Sequence, residues 1–167
     1  MTSCIFLYSA AGIFMAYTIS VFAMFGVLPS LSESHYRWKE KDKRLSFVFP
    51  SFIFIMSILL VPYWFDHSSE NTLFLILFAS FSFLLVAAAP LFKGYQRKTH
   101  FTGAIMCAAA TLLWMILNGH SNIPLWWLCA AIVAICIFGR RTWLLWLEIA
   151  AFVSLFNTHI YKHLTTI

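Results

Sequence analysis

Residues 30–44 read SLSESHYRWKEKDKR and carry eight formal charges in fifteen positions. On either side the charge vanishes. Upstream lies IFLYSAAGIFMAYTISVFAMFGVL (5–28), and downstream LSFVFPSFIFIMSILLVPYWF (45–65). Each flank has the ~20 mostly apolar residues that a helix needs to cross the ~30 Å hydrocarbon layer of a bilayer. A charged run between two such stretches reads as a loop between two membrane spans.

The rest of the chain repeats this alternation. Further apolar stretches occupy 72–92, 101–117, 123–138 and 142–160, separated by DHSSEN, KGYQRKTH, NGHSN and GRR. With 6–28 and 45–65 they make six expected spans in one integral membrane domain, 1–167. The stretch at 123–138 is short for a full crossing. The runs are apolar on all faces, whereas membrane barrel strands alternate apolar and polar residues. The fold class is therefore all-α, a polytopic transmembrane helix bundle.

Composition agrees. Only 10% of the 167 residues are Asp, Glu, Lys or Arg and 62% are hydrophobic, against roughly 25% and ~45–50% in soluble domains. Six acids and eleven bases are too few to coat a water-soluble surface. The N-terminal stretch has no basic leader and no small-residue cleavage pattern, so it reads as a retained span rather than a signal peptide. Cys4, Cys107, Cys129 and Cys136 show no CxxC spacing and read as small buried thiols.

Short cytoplasmic loops collect Lys and Arg. Arg37, Lys39, Lys41, Lys43 and Arg44 lie in the first loop, Lys93, Arg97 and Lys98 in the third, and Arg140 and Arg141 in the fifth. Only Lys162 of the eleven bases falls elsewhere. This places both termini outside the cytoplasm. The basic loops would attract anionic lipid headgroups. They are too dispersed for a nucleic-acid surface. Self-association into a homo-oligomer is a further expectation.

Ser30, Leu31, Ser32 and Glu33 follow Pro29 with the spacing of a capping box, which predicts a short helix at the membrane face. Small residues on one side of the fourth span (Gly103, Ala104, Cys107, Ala108, Thr111) are expected to let helices approach closely. The run 30–36 is also expected to fold back on APLFKGYQRKTH (89–100), with Ser32 or Glu33 reaching His100, Gln96 or the backbone near Lys93.

Two polar features sit where lipid makes them costly. Glu148 is the one acid inside a span, and an ionisable group at depth is a functional-site hypothesis. At the opposite membrane face, His159 and His163 are spaced HxxxH, one turn apart. With His67 or Asp66 they make a chemically sensible zinc set. Otherwise no cofactor is expected.

The run GVLPSLSESHY (26–36) and the later AAPLFKGYQRKTHFTGA (88–104) resemble small multi-span membrane proteins of gut bacteria and their phages. These carry a GV-x-x-S-(I/L)-S-(D/E)-S-x-Y run, a GAAP-x-F stretch and an H-x-x-GA stretch. The matching positions are Gly26, Ser30, Ser32, Glu33, Ser34, Tyr36, Pro90, Phe92, His100 and Gly103. The resemblance implies a shared cytoplasmic-face partner or lipid site and supplies no activity. The HxxxH pair is similar to that of seven-span hydrolases such as alkaline ceramidase, but a seventh span and an early Ser-x-x-x-His pair are absent.

Three readings of function are open. First in order is a non-enzymatic membrane protein acting through assembly or partner and lipid binding. A small transporter or channel using Glu148 is second. A metal-dependent intramembrane hydrolase using His159 and His163 is third.

Overall fold

The computed structural model describes residues 2–89 and 96–165. Seven α-helices run in the order α1 (Thr2–Phe25), α2 (Glu33–Lys41), α3 (Val48–Asp66), α4 (Leu73–Ala88), α5 (Gln96–Leu117), α6 (Asn122–Phe138) and α7 (Trp143–Thr165). Among the described residues there is no strand. The chain is an all-α helical bundle, in keeping with long runs that are apolar on all faces.

Five stretches are long and apolar enough to cross a membrane: Cys4–Phe25, Lys43–Asp66, Glu70–Ala88, Lys98–Leu117 and Arg140–Thr165. The fifth expected span, 123–138, corresponds to α6, whose 17 residues rise only ~26 Å. The bounds also shift. The first helix stops at Phe25 instead of 28, because Gly26 takes φ 70° and its N–H closes on the Phe22 carbonyl at 3.0 Å. A left-handed residue of that kind ends a helix, and glycine adopts it without steric cost. The fifth helix starts at Gln96 rather than 101, and the last continues to Thr165 rather than 160. Of the expected 72–92 span, positions 90–92 lie outside the described residues.

The helices pack in sequence order along much of the bundle: α1 on α3, α3 on α4, α4 on α5, and α6 on α7. Phe14 forms the centre of a ring cluster with Phe52, Phe152 and Phe156, at centroid separations of 6.3, 4.8 and 5.6 Å. Around it Leu7, Val21, Met56, Leu60, Ile76 and Leu145 are essentially fully buried. The outside is as apolar as the core. On α4 alone Phe74, Leu77, Phe78, Phe81 and Leu84 are exposed, which water would punish and hydrocarbon does not.

The tightest helix approach is α5 on α4. A Cβ at Gly103 would sit 3.1 Å from the Leu85 Cβ and 3.1 Å from the Ser82 carbonyl oxygen. The other small residues of α5 behave differently from expectation. Ala104, Cys107, Ala108 and Thr111 line a cavity instead of a close helix seam.

Candidate functional site

The site grows from the turn after α1. Proline at 29 has no N–H to continue the helix, and the chain turns back toward the bundle. The Ser30 hydroxyl then accepts the Glu33 backbone N–H at 3.1 Å, and Ser30 and Ser32 hydroxyls meet at 2.9 Å. This is the N-cap to N3 bond that the S-x-x-E spacing forecasts. Ser32, at the formal start of α2, makes no cap bond of its own.

Folding this turn inward buries backbone, and buried backbone polar groups need partners. Helix α7 supplies them. The Leu145 N–H, one of the unpaired donors in the first turn of α7, donates to the Pro29 carbonyl at 3.1 Å. Three residues further on, Glu148 Oε2 accepts the Leu31 N–H at 2.6 Å. Glu148 therefore closes a link between the first loop and the last helix. Ser20 and Ser82 spend their hydroxyls within their own helices, on the carbonyls of Ala16 and Phe78.

Several other polar groups of the run are satisfied locally, while the buried Trp38 Nε1 has no hydrogen-bond partner among the described residues. Ser34 donates its hydroxyl to the Leu31 carbonyl, which leaves Tyr17 to donate to Ser34 Oγ at 2.6 Å. The Tyr17 ring lies flat on Phe52 at 3.9 Å. His35 Nδ1 meets the Ser46 carbonyl at 2.8 Å. Burial holds the His35 imidazole below its ordinary pKa, partly opposed by that carbonyl and reinforced by Lys39. Ser30, Leu31, Ser34, His35 and Trp38 are all buried. Tyr36 stays exposed, and the Trp38 ring meets Phe25 edge-on at 4.9 Å. The charged run is thus half exposed charge and half a folded plug.

The expected fold-back of 30–36 onto 89–100 falls largely outside the described residues. Pro90, Phe92 and Lys93 lie outside the described residues, as do the side chains of Gln96 and Arg97. His100 is on the first turns of α5, with its ring 6.0 Å from Phe49 and beside the Val86 backbone. Among the described residues no hydrogen bond joins it to Ser32 or Glu33. His100 and Leu31 instead border the same cavity.

That cavity has a volume of about 430 Å³. Its walls come from α3 (Phe49, Ile53), α4 (Phe83, Val86), α5 (Ala104 to Met115 on one stripe), α6 (Pro124, Leu128) and α7 (Leu144 to Leu155). Almost all of the lining is hydrocarbon or aromatic. Glu148 and His100 are the carboxyl and the imidazole among its described lining residues, and Glu148 is bonded to Leu31, which lines it too. Ser154, further along, spends its hydroxyl on the Ala150 carbonyl.

At the opposite end of the bundle the four expected metal ligands are held apart by other contacts. His159 is fully buried between Tyr63, Trp64 and Trp114, with ring centroids 5.1, 5.8 and 4.9 Å away. Neither of its ring nitrogens has a protein partner. His67 stacks on Tyr63 at 4.0 Å, and its Nδ1 meets the Tyr63 carbonyl at 2.9 Å. His163 faces Cys4 Sγ at 3.6 Å. Asp66 is exposed. Among the described residues no group of three or more His, Cys, Asp or Glu side chains is placed to hold a metal ion. The HxxxH spacing put His159 and His163 on one helix side, but aromatic packing turned the first inward and left the second at the α1 edge.

Lys162 donates to the His67 carbonyl, Trp114 Nε1 donates to Ser68 Oγ at 2.8 Å, and Asn118 donates to Thr72 Oγ1 at 3.4 Å. The first bond ties the turn after α3 to the end of α7, and the other two tie it to the end of α5. His120, in the turn after α5, is held below its ordinary pKa by burial and by Lys162.

Two features escape sequence reading. The Leu31 N–H is a backbone donor and has no side-chain signature. The cavity depends on which small residues of α5 meet a neighbour and which do not. Comparison with known protein families, curated proteins and solved structures returns no match.

Proposed function

We propose that this protein is a multi-pass integral membrane protein, non-enzymatic, that holds a lipid-like ligand within its helix bundle. The basic loops face the cytoplasm of a bacterial inner membrane and both termini lie outside. The orientation rests on the distribution of Lys and Arg, and the bacterial setting on the resemblance of the 26–36 and 88–104 runs.

The observation that carries the binding reading is the cavity of about 430 Å³ beside Glu148. Its size falls within the ~300–1,000 Å³ of small-molecule sites, and such sites combine apolar walls with a few convergent polar groups. Helix α6 packs on α7 and makes little contact with α5, and both α5 and α6 contribute walls to the cavity. A bonded Glu148 favours this reading over a carrier. Its Oε2 holds the Leu31 backbone, a duty that a shuttling carboxylate would have to release at each cycle.

Organic extraction of the purified full chain, followed by mass spectrometry, tests the proposal. Wild type is expected to carry close to one equivalent of a chain-bearing lipid that Ala108→Phe, which fills the cavity, does not carry. Equal lipid content in both proteins refutes it. The orientation is tested separately in a chain with Cys4, Cys107, Cys129 and Cys136 replaced by Ala. Ser69→Cys should react with an impermeant maleimide from outside, and Lys41→Cys only after permeabilisation.

A further inference from the structure

Resting on that reading, we propose that the cavity takes one single-chain amphiphile with an uncharged hydroxyl head, seated head-first at Glu148 and His100. The lining residues of α5 run from His100 to Met115, fifteen residues or ~22 Å at 1.5 Å per residue. About 430 Å³ spread over that ~22 Å length leaves a cross-section of ~20 Å², which suits one extended hydrocarbon chain and not two. The stripe Ala104, Cys107, Ala108 and Thr111 keeps the passage open because none of these side chains reaches across it. Leu112, Met115 and Leu128 surround the deeper part with hydrocarbon, where a tail gains burial and a polar head would lose its hydrogen bonds.

The head is placed by the two polar groups at the other end. Oε2 of Glu148 is occupied by the Leu31 N–H. Oε1 has no protein partner among the described residues and is not fully buried, so it is open to the cavity. The His100 imidazole lines the same cavity. A hydroxyl both donates and accepts, so it satisfies a carboxyl and an imidazole whichever of them holds a proton.

Charge argues against the alternatives. An anionic head would enter an apolar space whose described lining holds no Lys or Arg to pair with it, and an unpaired charge there is costly. An ammonium head would have to pass the cationic field of Arg37, Lys39, Lys41, Lys43, Arg44, Lys98, Arg140 and Arg141, the bases of the loops at this end. A monoacylglycerol-like polyol avoids both costs.

The experiment uses the purified full chain in a neutral maltoside detergent. Native mass spectrometry is run with 1-monooleoylglycerol, oleic acid and oleylamine, three probes that share one tail and differ in head. Wild type is expected to hold one monooleoylglycerol per chain at least ~10-fold more tightly than either other probe, a ~1.4 kcal/mol preference. His100→Phe should bring the three affinities within ~3-fold of one another while a 1:1 adduct persists. Ala108→Phe, checked for an unchanged melting temperature, should abolish all three adducts; if it does not fold, Ala104→Leu replaces it.

Equal affinities in wild type, or a preference for oleic acid or oleylamine, overturns the head assignment and leaves the binding cavity standing. Absence of any adduct in wild type overturns the cavity reading itself. Adducts that survive both cavity-filling variants put the chain elsewhere and overturn both. Loss of a dimer peak on filling the cavity, with no lipid adduct in wild type, makes a second copy of this chain the occupant and overturns the proposal.

Discussion

Substituting Glu148 separates a structural carboxyl from a charge the fold needs. The Leu31 N–H it accepts, at 2.6 Å, belongs to a residue only 3% exposed. In Glu148→Ala that donor loses its acceptor where water cannot replace it, a cost of ~1–3 kcal/mol. A cavity term adds little, because the side chain already borders open space and no packed neighbour is lost. Glu148→Gln keeps an oxygen in place for the Leu31 N–H and turns its amide nitrogen to the cavity, so its cost should stay below ~1 kcal/mol. For a chain of this length each kcal/mol moves the melting temperature by ~2–4 °C. Thermal unfolding in detergent should therefore show Ala lower by roughly 2–12 °C and Gln close to wild type. Glu40→Ala is the control. It breaks the exposed Arg37–Glu40 pair at 3.3 Å, an interaction of the kind that contributes little, and should be silent. If Gln falls as far as Ala, the ionised carboxylate is what the fold requires. If Ala is silent, the Leu31 bond does not stabilise it.

Three further outcomes follow from the packing. Gly103→Ala places a Cβ 3.1 Å from both Leu85 and the Ser82 carbonyl, and should cost ~1–3 kcal/mol by overpacking. Gly12→Ala, with nothing within 4 Å, should be neutral or stabilising by up to ~1 kcal/mol in the same melts. His159→Phe keeps the ring among Tyr63, Trp64 and Trp114 and removes two nitrogens without protein partners, so stability should rise by ~1–2 kcal/mol; stoichiometric zinc in wild type that this variant loses would restore the metal reading. Because the folded protein holds His35 below its ordinary 6.5, the unfolded chain binds more protons between the two values. The His35 contribution is complete above about pH 6.5 and is lost as pH falls through the folded value, so the gap in melting temperature between wild type and His35→Gln should narrow on acidification. A gap that widens reverses the assigned sign.

The helices were legible because lipid imposes a coarse rule: long apolar runs with charged breaks. α3 and α4 follow it closely. The ends were less legible, since the stop at Phe25 is fixed by the conformation of Gly26, which hydropathy does not weigh. Glu148 was legible as costly, and Ser30 with Glu33 as a capping signal. Their meeting was not legible, because the contact runs through the backbone of Leu31, 117 positions from Glu148. The outer histidines show the converse. Spacing placed His159 and His163 on one side of α7, while Trp64 and Trp114, whose size drives burial, decided where His159 points.

A carboxyl in a span is usually first suspected of moving something, because lipid makes it costly to keep. Here a second cost accounts for it. The turn at 29–31 is irregular backbone folded inward, and such backbone survives near hydrocarbon only where protein covers it or a cavity adjoins it. The Leu145 N–H and the Glu148 carboxyl cover the Pro29 carbonyl and the Leu31 N–H, while the cavity lies on the far side of the same turn. Removing the carboxyl would therefore loosen the plug at one end of the cavity as well as one hydrogen bond. This predicts a coupling that neither a purely structural nor a purely ligand-binding residue would show. Glu148→Ala should raise hydrogen exchange at the amides of 31–35 in the ligand-free protein, and adding monooleoylglycerol should not restore their protection. Exchange confined to Leu31, with 32–35 unchanged, would mean that the turn holds without its link to α7 and that Glu148 serves the cavity alone.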